Sequence, residues 1–260
     1  MSEELVLYEV DEGIAQLTLN RPRRRNALSP QLVQALREAI ARLAQDDQAV
    51  VGVLTGAGEK AFCAGGDLAA GMTATGALAA RRSRGAYAEL LSELHGCGKV
   101  LVAACNGDAL GGGFGLAMAC DMVVVEPTAR LGTPEIKLGL FPMIILAELS
   151  RNVPRKRLLE MVFTGRKLSS DEALAWNLVN RVSQPGACLL EARELAASVA
   201  CHSPAVLRLG KDALYRSADL DLAHALLYLH EQLEANLQAE DAMEGIGAFL
   251  QKRKPNWKGR

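Results

Sequence analysis

The segment VLVAACNGDALGGGFGLAMACD, residues 100–121, predicts a buried strand, a glycine-rich turn and the beginning of a helix. An apolar run at residues 100–105 precedes the turn, three consecutive glycines occupy residues 111–113, and helix-forming residues follow at 116–119. The first N–H groups of a helix have no intrahelical acceptor, and they suit an anion or a developing oxyanion. The segment therefore predicts a strand–turn–helix unit that can bind negative charge, with a purely structural turn as the alternative.

A second glycine turn, AFCAGGDL at residues 61–68, follows another apolar run at residues 50–55. The adjacent Gly65 and Gly66 permit backbone angles that other residues rarely adopt. Neither turn has the Gly-Lys-Ser/Thr ending of a phosphate-binding loop, and neither matches the full GxGxxG pattern of dinucleotide-binding proteins. Both turns therefore lack the signature of a nucleotide site.

Strand and helix signals alternate around these turns. Residues 5–10 and 14–19 read as an edge hairpin, and residues 122–125 form a further buried apolar run. Ser29 and Pro30 provide an N-cap and a first-turn proline for an amphipathic helix. The pattern predicts an α/β fold.

The chain changes character after Pro185. Four segments read as helices with no predicted strand between them: residues 187–200, 204–216, 220–238 and 241–253. A stripe of leucines recurs there at helical spacing, and we expect it to pack in the chain's own core, with a subunit interface as the alternative. The stripe consists of Leu222, Leu226, Leu229, Leu233 and Leu237.

The composition favours a soluble globular protein. The 260-residue chain has a formal net charge of -1, so no basic field attracts nucleic acid or anionic membrane. Its six cysteines lack the spacing of metal ligands and read as reduced, mostly packed thiols, and no metal is expected. The N-terminus lacks a signal peptide pattern, and the apolar runs fall short of the ~20 residues of a membrane helix. We expect a cytoplasmic protein that binds neither nucleic acid nor membrane.

Further motifs extend along the chain in a fixed order. They are NRP and RNAL within residues 20–28, FCAGGDL at 62–68, LGGG and AMACD within 110–121, PEI and LG within 134–139, TGR at 164–166 and WNLVN at 176–180. Together they resemble the crotonase superfamily, the enoyl-CoA hydratases and isomerases, from about residue 6 to residue 258. The resemblance implies a crotonase-type spiral of ββα units followed by a C-terminal helical oligomerisation region.

The resemblance also implies how the chain is organised and what it binds. Residues 1–200 would form an acyl-CoA-binding catalytic core, and residues 201–260 a helical region that packs on the core or on a neighbouring subunit. The substrate would be an acyl-CoA or enoyl-CoA thioester. Coenzyme A is then part of the substrate, so no separate cofactor is expected. A homotrimer or homohexamer is the expected assembly.

By the same resemblance, the backbone N–H groups of Gly66 and Gly112 form an oxyanion hole around the thioester carbonyl. The α-proton of an acyl-CoA becomes removable only if the enolate oxygen is stabilised, and one preorganised donor can contribute ~10²–10³ in rate. Glycine allows the backbone to approach the substrate closely, and no side chain is needed.

Other matched positions would contact coenzyme A. Arg25 and Ala27 match an N-terminal contact segment, in which a solvated surface charge is the alternative for Arg25. The loop around the adenine and ribose is matched by Ala64, Asp67 and Leu68. Two C-terminal residues, Phe249 and Lys252, match positions that the family contributes from its tail or from a neighbouring subunit, with ordinary helix packing as the alternative.

The chain departs from the hydratases at one of their two glutamates. Glu135, in the PEI motif, is present, whereas the position two residues after the triple glycine is Gly115. A glycine transfers no proton, but one carboxylate suffices to move a proton between C2 and C4 of an enoyl thioester. Double-bond isomerisation is therefore favoured. The alternatives are hydration with a second group such as Asp67 or Glu148, decarboxylation, thioester hydrolysis, or a catalytically lapsed acyl-CoA binder.

A second departure is the apolar segment LFPMIIL at residues 140–146, where the family is usually glycine-rich. Either the segment fills the core or it lines the acyl site. In the second case we expect a preference for apolar acyl chains over carboxylated ones.

Overall fold

A computed structural model describes residues 4–68 and 77–260 of the chain. The strands are β1 (Val6–Asp11), β2 (Ile14–Leu19), β3 (Val51–Gly56), β4 (Ala61–Cys63), β5 (Val100–Cys105), β6 (Asp108–Leu110), β7 (Met122–Val125), β8 (Arg130–Gly132), β9 (Lys167–Ser169) and β10 (Arg181–Val182). The helices are α1 (Pro30–Gln45), α2 (Ala77–Gly96), α3 (Gly112–Met118), α4 (Leu146–Asn152), α5 (Arg155–Thr164), α6 (Ser170–Ala175), α7 (Cys188–Ala200), α8 (Pro204–Ser217), α9 (Leu222–Leu237) and α10 (Glu240–Leu250). Short 3₁₀ turns occupy Pro22–Arg24 and Pro134–Leu138.

The main sheet has the strand order β1-β2-β3-β5-β7-β10. β1 and β2 form an antiparallel hairpin, and every later neighbour pair in the sheet is parallel. Parallel neighbours require crossover connections, which place other elements on the faces of the sheet. Every residue of β3 is buried, as expected for a central strand covered on both faces.

A second sheet has the order β4-β6-β8-β9 and consists of three-residue strands. β4 follows β3, β6 follows β5 and β8 follows β7, so consecutive strands alternate between the two sheets. α2 follows the first of these strand pairs and α3 follows the second. The chain thus repeats a ββα unit, and the predicted α/β spiral is confirmed.

Helix α1 begins as the sequence predicts. The Ser29 side chain accepts a hydrogen bond from the Leu32 N–H at 3.2 Å, and Pro30 occupies the first turn. Such a cap contributes about 1 kcal/mol. The apolar face of the helix is buried in the main core and consists of Leu32, Val33, Leu36, Ala39, Ile40 and Leu43.

Three predicted strands have the observed bounds, at residues 14–19, 100–105 and 122–125. The strand predicted at 5–10 is shifted by one residue at each end, and so is the strand predicted at 50–55. The three-residue strands were not predicted, because such short strands carry no clear period. Helix α2 was not predicted either. Five cysteines are buried free thiols and Cys201 is an exposed one, which agrees with the expectation.

The helical tail after Pro185 is confirmed, but the expected position of its leucine stripe is wrong. The stripe lies on α9, and its least exposed member, Leu229, is still 39% exposed. Leu222 is 76% exposed and Leu226 is 60% exposed. An amphipathic period identifies an apolar face without identifying the surface that covers it. Among residues 4–68 and 77–260, the stripe is not part of the core.

The predicted boundary between residues 1–200 and 201–260 coincides with the end of α7, which packs on β3 and β5. The division into two regions stays a prediction. Among the helices of residues 4–68 and 77–260, none combines the length and the apolar character needed to cross a bilayer.

Candidate active site

The two predicted glycine turns lie against each other. Gly65 has φ +94°, and a Cβ at this residue would stand 2.8 Å from the Leu110 carbonyl oxygen and 3.5 Å from the Gly112 nitrogen. Gly113 contacts the Cys63 carbonyl group so closely that a Cβ there would collide with backbone. Glycine is therefore required at both positions, because only a missing side chain allows these two backbones to touch.

The orientation of Gly66 follows from its pairing with Leu28. In this parallel bridge, the Leu28 N–H donates to the Gly65 carbonyl at 2.8 Å, and the Asp67 N–H donates to the Leu28 carbonyl at 3.0 Å. The bridge leaves the N–H of Gly66 itself unused and directed to the opposite side of the strand. A Cβ at Gly66 would have no atom within 4 Å, so the residue faces open space.

Gly112 is the first residue of α3, so its N–H has no acceptor within the helix. The preceding Gly111 N–H is already engaged, because it donates to the Gly132 carbonyl at 2.8 Å. The structure thus brings the turns that carry Gly66 and Gly112 together. Both present backbone N–H groups that the surrounding hydrogen bonds do not use.

The Glu135 carboxylate lies at this same helix start. Glu135 belongs to the 3₁₀ turn Pro134–Leu138, and its Oε1 stands 2.7 Å from the position that a Gly111 Cβ would occupy. Its Oε2 is buried and has no hydrogen-bond partner in the described part of the chain. Burial raises the pKa of the Glu135 carboxyl above its usual range. A buried carboxylate oxygen without a protein partner is available to a substrate proton.

The position of the missing glutamate has no room for a side chain. A Cβ at Gly115 would lie 2.7 Å from the Ile145 Cβ and still closer to Ile145 Cγ2, and it would stand 3.0 Å from the Tyr87 hydroxyl oxygen. Ile145 is buried in the main core. The glycine and the apolar segment therefore occur together, because Ile145 fills the volume that a longer residue 115 would need.

Tyr87, which lies in the unpredicted helix α2, belongs to no motif that the sequence analysis selected. Its hydroxyl donates a hydrogen bond to the Gly112 carbonyl at 2.5 Å. Burial, and secondarily the nearby Cys63, Glu148 and Glu135, raises the pKa of Tyr87 well above its ordinary value. The contact joins residues 25 positions apart, and no local sequence pattern predicts it.

Five of the predicted coenzyme A positions lie on two adjacent segments, 25–28 and 64–68. The Ala64 N–H donates to the Arg25 carbonyl at 3.0 Å. The Arg25 side chain is exposed, and Leu68 is 54% exposed. Ala27 and Asp67 join the same junction through Arg21, which donates to the Ala27 carbonyl and pairs with Asp67 at 3.0 Å. Arg21 was not a predicted site residue.

The two carboxylates considered as substitutes for a second glutamate are already engaged. Asp67 pairs with Arg21. Glu148 is buried and lies 3.3 Å from His95 Nε2, and the His95 ring stacks on Tyr215. Each carboxylate thus has a neighbour that holds it in place.

The structure does not bring Phe249 and Lys252 to this junction. Phe249 lies near the end of α10 and is 82% exposed, and Lys252 follows that helix. α10 packs against α8 and α9. A role for these residues near coenzyme A therefore stays a prediction that requires a neighbouring subunit.

The apolar segment at residues 140–146 is divided between core and surface. Ile145 is buried, whereas Leu140 is 48% exposed and Met143 is 70% exposed. Phe141 lies 6.0 Å from Phe163, measured between ring centroids. Core filling is confirmed for Ile145, and the preference for apolar acyl chains stays a prediction.

Comparison with known proteins gives concordant matches over nearly the whole chain. The family model described as enoyl-CoA hydratase/isomerase matches residues 9–260. A putative enoyl-CoA hydratase of Thermus thermophilus is 38% identical, and the match covers 96% of this chain and 100% of that protein. The (E)-benzylidenesuccinyl-CoA hydratase of Thauera aromatica is 35% identical, with 98% and 99% covered.

The fold comparison agrees. A crystal structure of an enoyl-CoA hydratase from Mycobacterium smegmatis is 34% identical, has a TM-score of 0.93, and covers 98% of this chain and 99% of its own. These matches account for the motif order, the ββα spiral and the paired glycine turns. The chain belongs to the enoyl-CoA hydratase/isomerase family, within the crotonase superfamily of enzymes that act on acyl-CoA thioesters.

Proposed function

We propose that this chain moves a proton on an enoyl-CoA thioester through an enolate, with Glu135 as its acid-base carboxylate and double-bond isomerisation as its reaction. The observation that carries the proposal is the buried Glu135 Oε2 beside the N-terminus of α3, which has no hydrogen-bond partner among the described residues. No second carboxylate can stand at Gly115, because Ile145 and Tyr87 occupy that space.

The chemistry follows from the two N–H groups and the one carboxylate. The N–H groups of Gly66 and Gly112 stabilise the negative charge that develops on the thioester oxygen as a proton leaves carbon. Glu135 takes that proton from C2 or C4 and returns it to the other carbon, so the double bond shifts without any net change in atoms. A raised pKa brings the carboxyl closer to the working pH, where general acid-base catalysis is most effective.

Coenzyme A would lie along the adjoining segments. In this proposal Arg25, Ala27, Ala64, Asp67 and Leu68 hold its nucleotide end, and Phe249 and Lys252 complete the site from a neighbouring subunit of a homotrimer or homohexamer. The exposed leucine stripe of α9 supports such an assembly, because a large apolar face left in water is costly.

Hydration is the second candidate. The three proteins compared above all bear the names of hydratases: the putative enoyl-CoA hydratase of Thermus thermophilus, the (E)-benzylidenesuccinyl-CoA hydratase of Thauera aromatica and the enoyl-CoA hydratase of Mycobacterium smegmatis. Hydration needs a group that holds water beside the β-carbon, in addition to Glu135.

The test uses purified protein and a panel of 2-enoyl and 3-enoyl CoA thioesters, with the double-bond position and any hydroxyl product resolved. We expect Glu135→Gln to lower kcat/KM by at least ~10²-fold, the scale of general acid-base catalysis, while acyl-CoA binding is kept. Glu160→Gln, on the exposed side of α5, is the matched control and should keep the rate. Full activity in Glu135→Gln, or no deuterium exchange at the α-carbon in the unmodified protein, would refute the proposal.

A further inference from the structure

The hydroxyl of Tyr87 lies beside the place from which a side chain at residue 115 would begin, next to the Ile145 side chain that fills this place. It stands 3.0 Å from the position of a Gly115 Cβ and 3.6 Å from that of a Gly112 Cβ. It is held there by its 2.5 Å hydrogen bond to the Gly112 carbonyl. A polar group beside Gly115 thus comes from a different helix, α2.

Glu135 and Tyr87 lie at the same end of α3. The carboxylate packs against Gly111, the residue before the helix, and the phenol packs against Gly112 and Gly115 in its first turn. Glu135 is also near enough to the phenol to raise its pKa. The start of α3 is therefore bordered by a carboxylate and a phenol, the two groups that can hold the oxygen atom of a water molecule or a hydroxyl group.

The bonding state of the phenol leaves it able to hold such an oxygen. Its proton is donated to the Gly112 carbonyl, so the lone pairs of its oxygen remain as acceptors. The ionisable groups that act on it are Cys63, Glu148 and Glu135, none of which is cationic, and the phenol stays protonated. It therefore accepts a hydrogen bond and does not serve as a base.

We propose that Tyr87 accepts a hydrogen bond from the oxygen at the β-carbon of the acyl group, either the attacking water or the hydroxyl of a 3-hydroxyacyl-CoA. It thereby replaces the side chain that Gly115 lacks. This inference rests on the proposed enolate site and makes hydration possible there with one carboxylate.

The hydration step is balanced with these groups alone. Water donates one hydrogen bond to Tyr87 and the other to Glu135. As its oxygen bonds to the β-carbon, the double-bond electrons shift toward the thioester oxygen, and Glu135 takes the water proton. The enolate then collapses and takes the same proton at its α-carbon, which leaves a 3-hydroxyacyl-CoA and an ionised Glu135.

A binding experiment tests the contact without requiring turnover. Calorimetry with 3-hydroxybutyryl-CoA and butyryl-CoA measures the preference for the hydroxyl group in the unmodified protein, in Tyr87→Phe and in Tyr8→Phe. We expect Tyr87→Phe to reduce that preference by about three- to tenfold, the worth of one neutral hydrogen bond. Tyr8→Phe is the control, because its hydroxyl bonds to Asp46 at 2.8 Å, away from the glycine turns.

A kinetic experiment separates this role from a purely structural one. Tyr87→Phe should lose at least tenfold in crotonyl-CoA hydration, while its deuterium exchange at the α-carbon of butyryl-CoA stays within about threefold of the unmodified protein. A fall of both rates by the same factor would show that the phenol only supports α3, and would overturn the inference. An unchanged hydroxyl preference, or no hydration by the unmodified protein, would overturn it as well.

The outcomes also separate this inference from the proposed function. Hydration with a Tyr87-dependent hydroxyl preference, but without α-carbon exchange, would refute the enolate chemistry and leave the Tyr87 contact standing. Failure of either thioester to bind would refute both.

Discussion

Where the two glycine turns meet, backbone packs directly on backbone, with Gly65 against Leu110 and Gly113 against Cys63. The C-terminal helices show the opposite arrangement, in which side chains such as Leu222 and Phe249 extend into open space. The junction is completed by contacts within one chain, whereas no surface of the described residues covers these apolar side chains of the tail. The proposed oxyanion hole therefore belongs to the single chain, and the proposed C-terminal contribution to coenzyme A would depend on assembly.

The largest expected effect comes from adding one methyl group to the junction. Gly113→Ala places a Cβ against the Cys63 carbonyl group, so the two turns must separate. We expect α-carbon exchange to fall by ~10²–10³-fold, as on the loss of a preorganised donor. The free energy of unfolding should fall by roughly 1–3 kcal/mol, the usual cost of overpacking.

The matched control is Gly210→Ala on α8. A Cβ at Gly210 meets no atom within 4 Å, so this substitution should be neutral or stabilising by about 0.4–1 kcal/mol. Exchange rates followed by mass spectrometry and thermal unfolding of both variants provide the comparison. An active Gly113→Ala protein would show that the junction tolerates separation and that its close packing is not needed for the hole.

The second prediction concerns the tail. Leu226→Arg places a charge in the exposed apolar stripe of α9. If the stripe is the subunit interface, light scattering should detect a shift from trimer or hexamer to monomer, and KM for acyl-CoA should rise about tenfold. Glu231→Arg, on the opposite face of the same helix, should keep the assembly. A monomeric unmodified protein would refute the interface.

The smallest effect is expected for the stability of Glu135→Gln. Burial raises the folded-state pKa of this carboxyl above its ordinary value of 4.5, so the folded protein retains the proton to higher pH than the unfolded chain. Stability should therefore fall as pH rises from 4.5 through the folded-state pKa. Glutamine carries no charge, so at neutral pH the variant should have an equal or slightly higher Tm. A lower Tm at neutral pH, with a normal Tm at pH 4, would contradict the sign.

Prediction from sequence worked best where a local period is strong. β5 and β7 have their predicted bounds because strands buried in a sheet are continuous apolar runs bounded by turns. β2 has its predicted bounds because its residues alternate after a turn, as in a hairpin. The Ser29 cap was predicted because capping depends on a few neighbouring residues. β6 is three residues long and lies within the glycine turn, so no period distinguishes it.

The residues of the candidate site likewise include some that local motifs predict and others that they do not. Gly66, Gly112 and Glu135 lie in motifs that can be recognised along the chain, and the structure brings their turns together. Tyr87 lies in no such motif, and its contact with Gly112 depends on how α2 packs against α3. The leucine stripe of α9 was assigned to the wrong surface, because its period is the same whether it packs on its own chain or on another.

The sequence alone therefore determined the α/β class, the family, the two glycine turns and the single carboxylate, since each depends on residue identity at short spacing. Only the tertiary structure decided that Ile145 fills the space beside Gly115, that Tyr87 stands over α3, and that the tail leaves its leucines exposed. These features depend on which side chains meet across long separations, and packing at the junction of distant segments sets them.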